Sequence, residues 1–188
     1  MLLMPAFQIG VWNAWIFMIW LLIQNFGVML VSRDLYQKAG EPPDMKPSRK
    51  YKILSFISTT LWLLATAYSI FLPLKVGTIW FLIGLIIFLL GLIINVVASI
   101  NFVRTPMNEP VSGGAYRYSR HPIYTALVLI FLGVSMASAS WVFLLLTVLM
   151  AVLVSLSVAD EERYCVEKYG DSYREYMDRT PRWIGIPK

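Results

Sequence analysis

Thr78 to Ile100 is a run of 23 residues without a charged side chain. As a helix it would be about 35 Å long, more than the ~30 Å hydrocarbon core of a bilayer. Such a run cannot be a strand or a loop, because lipid leaves backbone groups no partner outside a helix or closed barrel. Ile9–Val31 is a second 23-residue run, broken only by Asn13, Gln24 and Asn25, with Trp12, Trp15 and Trp20 towards its first half as in an interfacial belt. Ile53–Leu72 is a third. Pro122–Ala137 is apolar but short, Ser135–Ser140 has the small residues of a hairpin apex, and Trp141–Ala159 returns. With 58% hydrophobic and only 14% charged residues in 188, the chain predicts an all-α polytopic membrane bundle of five segments, the last two a helical hairpin.

The charges mark the sides. Six Lys and Arg fall in Ser32–Lys52, three in Asn101–His121 (Arg104, Arg117, Arg120) and six after Asp160, against Lys75 alone on the other side. Fifteen against one predicts an N-terminus outside and both large loops and the tail in the cytoplasm. Gly40, Pro42, Pro43 and Pro47 keep the first loop from being one helix. The net charge of +5 is read as topology and attraction to anionic lipid, with no nucleic-acid partner expected. No basic n-region precedes the first run, so no cleaved signal peptide is expected. One cysteine, Cys165, and one histidine, His121, allow no internal disulfide and predict no metal site.

A polar island, Val111 to Tyr124, stands between two apolar segments. Gly113-Gly114 reads as a flexible turn or as a close backbone approach to a ligand. In Arg120-His121-Pro122, the proline suits a first helical turn and puts His121 at a helix N-terminus, which favours an anionic group. The other reading is a histidine solvated among headgroups. Glu161 and Glu162 are expected to close the last span at a helix C-terminus, unfavourably for the macrodipole, so they read as kept for a cation or a ribose diol, or as an exposed acidic cluster with Asp160. Tyr164, Tyr169, Tyr173 and Tyr176 form a loose helical stripe, more often packing than a ligand cage. Arg182-Trp183 reads as a tail anchor, and Asn95 and Ser157 as interhelical polar contacts. No carboxylate or lysine lies inside any predicted span, which counts against an ion-coupled transporter.

Gly114-Ala-Tyr116, Arg120-His-Pro-x-Tyr124, the predicted hairpin, Glu161-Glu162, Tyr169-Gly-Asp-x-Tyr173-x-x-Tyr176 and Arg182-Trp183 together resemble the isoprenylcysteine carboxyl methyltransferase and phospholipid methyltransferase superfamily of integral membrane enzymes. The resemblance covers Asn101 to Lys188. It implies methyl transfer from S-adenosyl-L-methionine in a cytosolic pocket to a lipidic or apolar acceptor. It implies cofactor contacts at Asn101, along Asn108 to Val111, and at Tyr116, His121, Pro122, Ile123, Tyr124 and Glu161. We place Ser157, Glu162 and Arg182 on the acceptor side. The isoprenylcysteine enzymes carry an arginine one helical turn before this glutamate, where this chain has Ser157; serine cannot make the bidentate contact. The acceptor is thus open between a prenylcysteine carboxylate, a lipid amine and another apolar nucleophile. The chain reads as one membrane domain, 1–188, with a three-span scaffold over 1–100 and the cofactor loop, hairpin and tail over 101–188. Two other readings stand beside this one: a membrane reductase of similar layout using NADPH, and a non-enzymatic scaffold.

Overall fold

The computed structural model describes residues 7–31, 48–106 and 108–188, with 25–31 as backbone only. The described residues form six α-helices and one short 3-10 helix, with no strand. These are α1 (Trp15–Val31), α2 (Arg49–Ser69), α3 (Ile79–Arg104), the 3-10 helix Gly114–Arg117, α4 (Pro122–Ala137), α5 (Trp141–Tyr169) and α6 (Asp171–Arg179). The expected all-α class is the class observed. The first polar loop, with its glycine and prolines, lies outside the described residues from 32 to 47.

The three longest helices start where a hydroxyl satisfies a free N–H. Ser48 Oγ accepts from Tyr51 N at 3.0 Å, so α2 begins four residues before the apolar run at Ile53. Thr78 caps α3 through Phe81 N, and Ser140 caps α5 through Phe143 N. Pro122 is the first residue of α4, where its missing N–H costs nothing.

The closest contact in the bundle is between α3 and α4. A Cβ on Gly133 would stand 2.6 Å from Phe88 N, one on Gly91 2.9 Å from Ile130 N, and one on Gly84 would run into the backbone of Ala137. Small residues let these two backbones meet, as in close-packed transmembrane pairs. Around them Ile130, Phe131, Val134, Phe88 and Phe143 form the core with Phe17, Met18 and Leu21 of α1, and Phe17 stacks on Phe88 with ring centroids 4.3 Å apart. Between α1 and α3, Gln24 Nε2 donates to Ser99 Oγ at 2.8 Å and Trp20 Nε1 to Asn95 Oδ1 at 3.4 Å.

Among the described residues two helices are long and apolar enough to cross a membrane, Ile79–Arg104 and Trp141–Tyr169; only 28% and 17% of their apolar windows are buried inside the molecule. A core helix of a water-soluble protein would hide most of that surface. Here Ile86, Leu90, Ile93, Val97, Leu145, Val148 and Val152 are exposed, an apolar exterior on both helices that suits a lipid surrounding.

One sequence expectation needs correction. The last apolar run ends at Ala159, but α5 continues to Tyr169 and stops at Gly170, whose φ of +58° favours glycine. Glu161 and Glu162 therefore sit two helical turns before the C-terminus, where the macrodipole has little hold. The end of an apolar run marks where the surroundings change, not where helical hydrogen bonding stops.

Candidate functional site

The polar residues converge at the end of the bundle opposite Lys75. His121 is the N-cap residue of α4; its carbonyl accepts from Thr125 N at 3.1 Å, while its side chain makes no capping bond and turns to α5. Ser119 Oγ accepts His121 N–H at 3.1 Å, which fixes the entry into α4.

Glu162 is the centre of a charge cluster. Arg182 holds it with two parallel bonds, Nη2 to Oε2 at 2.5 Å and Nε to Oε1 at 3.2 Å. His121 Nε2 lies 3.2 Å from Oε1, and a proton on that nitrogen makes His121 the donor. Arg120 Nη1 stands 3.2 Å away as a charge contact, without hydrogen-bond alignment. Burial alone would raise this carboxyl, whose side chain is 5% exposed; the bonds from His121 and Arg182 and the charge of Arg120 outweigh it and hold Glu162 down to about 2.

Glu161, its neighbour, has a different environment. Tyr124 OH donates to its Oε1 at 2.6 Å and Tyr51 OH to the same oxygen at 3.4 Å, while Oε2 is 3.9 Å from His121 Nδ1. No arginine or lysine pairs with it among the described residues, and its side chain is 24% exposed. Burial pushes its carboxyl above the ordinary range, against the opposing pull of Tyr124, His121 and Tyr51. The His121 ring lies between the two carboxylates, stacked near Tyr124 and tilted towards Trp183 at 6.0 Å.

The tail wraps this arrangement. Arg120 N donates to Pro181 O, Gly185 N to Tyr118 O, and Ser119 Oγ to Arg182 O. Tyr176 OH, fully buried, donates to Tyr116 O at 2.7 Å. Tyr116, Tyr173, Tyr176 and Ala98 form a second core, with Val111, Ile123 and Cys165 packed against it. Burial pushes the Tyr116, Tyr173 and Tyr176 phenols up, so they remain protonated. Burial likewise pushes the Cys165 thiol up to about 11, which leaves it no thiolate to use as a nucleophile near neutrality.

The sequence-predicted residues thus fall into distinct places. His121, Tyr124, Glu161, Glu162 and Arg182 are in direct contact. Val111, Tyr116 and Ile123 belong to the adjoining aromatic core, and buried Pro122 starts α4. Asn101, in the last turn of α3, accepts Ala115 N–H on Oδ1 at 3.0 Å. That contact explains Gly114, whose φ is +60° and whose Cβ would collide with the Asn101 amide. Asn108 is exposed. Ser157 donates to Leu153 O at 2.9 Å, within its own helix. The tyrosine stripe is split by Gly170: Tyr173 and Tyr176 turn into the core, whereas Tyr164 stays with Lys168. Tyr51 was not foreseen, since nothing in the local sequence of α2 ties it to Glu161. Arg120 stood in a motif that could have flagged its pairing. Among the described residues no group of three or more His, Cys, Asp or Glu side chains gathers to hold a metal ion.

Fold and site define a class: an α-helical bundle with an apolar exterior that gathers histidine, tyrosines and carboxylates at one mouth. The phospholipid methyltransferase family pattern matches residues 76–172, just over half of the chain, and the chain belongs to that family. Over 78 residues the chain is 36% identical to the protein-S-isoprenylcysteine O-methyltransferase of Schizosaccharomyces pombe, a match covering 41% of this chain and 32% of the yeast protein. The chain therefore spans about a third of that curated relative's length. No solved structure matches it.

Proposed function

We propose that this protein is an integral membrane methyltransferase that uses S-adenosyl-L-methionine to methylate a lipidic or apolar acceptor. The observation that carries the reading is Glu161: a carboxylate held by two phenols, reachable from solvent and, among the described residues, paired with no arginine or lysine and only 3.9 Å from His121 Nδ1. Beside it is the first turn of α4, with no side-chain cap. A carboxylate so placed suits an amine, a ribose diol or a sulfonium, and an open helix N-terminus suits a carboxylate. S-adenosyl-L-methionine carries all of these groups, so the donor set fits it. Membership of the phospholipid methyltransferase family points the same way.

In this reading His121, Pro122, Ile123 and Tyr124 hold the cofactor from α4 and Glu161 holds it from α5. Asn101, Asn108, Val111 and Tyr116 form the surrounding loop. Ser157, Glu162 and Arg182 lie towards the acceptor, with the Glu162 cluster fixing the position of the His121 ring. The bound cofactor supplies an electrophilic methyl group on sulfur. What the chain adds is alignment and exclusion of water, and aligning two reactants is worth several kcal/mol.

We further infer five membrane spans, with the site on the cytoplasmic side. Fifteen of sixteen basic residues favour that orientation. At 29 residues α5 is about 43 Å long, so its last turns extend beyond a ~30 Å hydrocarbon core. An apolar acceptor then arrives from lipid between helices, and the cofactor arrives from water.

The test is calorimetry on detergent-purified protein with S-adenosylmethionine, S-adenosylhomocysteine and NADPH. Micromolar binding of the first two is the expected result, followed by transfer of labelled methyl to membrane lipids. Binding of NADPH alone would replace this reading with a reductase. Folded protein that binds none of the three would point to a scaffold.

A further inference from the structure

The family match begins at residue 76, and the described residues before it read as scaffold in the sequence. One contact does not fit that division. Tyr51, in the first turn of α2, reaches across to α5 and places its hydroxyl 3.4 Å from Glu161 Oε1, the oxygen that Tyr124 also holds. A second bond lies beside it: Ser48 Oγ donates to Asp160 Oδ2 at 2.9 Å, and Asp160 is itself held by Arg163 at 2.8 Å. Ser48 also caps the turn that carries Tyr51. The two contacts use residues one turn apart on α2 and adjacent residues on α5, so together they fix the start of α2 against α5.

We propose that Tyr51 is a positioning residue for the Glu161 carboxylate, which makes the start of α2 part of the site. Two phenols on one oxygen leave Glu161 Oε2, with His121 Nδ1 at 3.9 Å, as the atom to turn towards a ligand. They also favour the ionised form, since each hydroxyl donates to the carboxylate oxygen and such a bond is stronger to the anion than to the neutral acid. The inference rests on the function proposed above only insofar as Glu161 binds cofactor; the effect on Glu161 itself does not.

Among the described residues the ionisable groups facing Glu161 from other elements are Tyr124 and His121 at the start of α4, Tyr51 from α2 and Tyr116 from the 3-10 helix. Glu162 and Cys165 on its own helix also face it, with Asp160 adjacent. Burial opposes ionisation and the phenols support it. Removing one phenol hydroxyl therefore raises the pH at which Glu161 ionises.

The experiment is a pH titration of full-length protein followed by infrared absorbance of the protonated carboxyl group, with Glu161 isolated as the difference from Glu161→Gln. In Tyr51→Phe the midpoint should move up by about half a pH unit or more, and S-adenosylmethionine affinity should fall roughly threefold to tenfold. Ser155→Ala, an exposed change on the same helix, should move neither. An unmoved midpoint in folded Tyr51→Phe would overturn the inference, whatever the affinity does. A moved midpoint in protein whose wild type binds no S-adenosylmethionine would uphold Tyr51 and remove the proposed function instead. If Tyr51→Phe does not fold, Ser48→Ala takes its place: a shift in the same direction supports the inference and an unmoved midpoint overturns it.

Discussion

Glu161 and Glu162 are neighbours in sequence with opposite electrostatic surroundings. Glu162 faces Arg182, Arg120 and His121, while Glu161 meets two phenols and, among the described residues, has only the more distant His121 Nδ1 beside its other oxygen. The first carboxylate is committed to holding the protein together; the second has charge to spare for something else.

That difference gives Glu161→Gln two expected effects of opposite sign. Its folded-state pKa is raised, so the cost of its charge is absent below the ordinary carboxyl range and grows as pH rises towards the folded value. Removing the charge should make the ligand-free protein more stable at neutral pH. The same change should weaken S-adenosylmethionine binding about tenfold or more. Thermal unfolding in detergent and calorimetry on one preparation check both; lower stability together with unchanged affinity would contradict the assignment.

For Glu162 the sign reverses. Its folded value of about 2 lies below the ordinary 4.5, so its contribution is fully present above about pH 4.5 and is lost as pH falls towards 2. Wild-type unfolding temperature should drop across that window. In Glu162→Gln this acid limb should flatten, with a lower starting stability because Arg120 and Arg182 lose their partner. A melt series from pH 7 to the acid limit reads the effect.

The α3–α4 contact predicts sensitivity to a single methyl group. Gly133→Ala puts a Cβ 2.6 Å from Phe88 N, and the backbone must shift, at a cost of about 1–3 kcal/mol. Gly113→Ala meets nothing within 4 Å and should stay within about 0.5 kcal/mol of wild type. Denaturation of the two variants side by side checks the contrast.

Tyr176→Phe removes the buried donor to Tyr116 O and leaves that carbonyl without this partner. The expected cost is about 1–2 kcal/mol, measured as a lower melting temperature. Amide exchange should rise across 114–120, the segment that this hydroxyl ties to α6.

Much of this was legible in the sequence, for identifiable reasons. Uninterrupted apolar runs gave helices near Thr78–Ile100 and Trp141–Ala159, because length and absence of charge leave no other structure in lipid. The start of α4 was legible because Pro122 fixes a first turn. The node His121, Tyr124, Glu161 could be named from motif order, but not its bonding. Which glutamate would be compensated depends on where residues 180–183 lie, and no local pattern encodes that. Tyr51 was hidden for the same reason, being 110 residues from Glu161. Gly114 was open between two readings until Asn101 appeared beside it.

The crossing of residues 181–185 over Tyr118–Arg120 also fixes an order of events during biosynthesis. Every helix from α1 to α6 precedes Pro181 and Arg182 in the chain, so these two residues are synthesised after all of them. Until they do, Glu162 lacks its bidentate partner and His121 its outer wall. A chain that stops short of Pro181 would thus hold its helices but leave Tyr118–Arg120 uncovered, and resistance of that segment to proteolysis would appear only after 181–185 have docked.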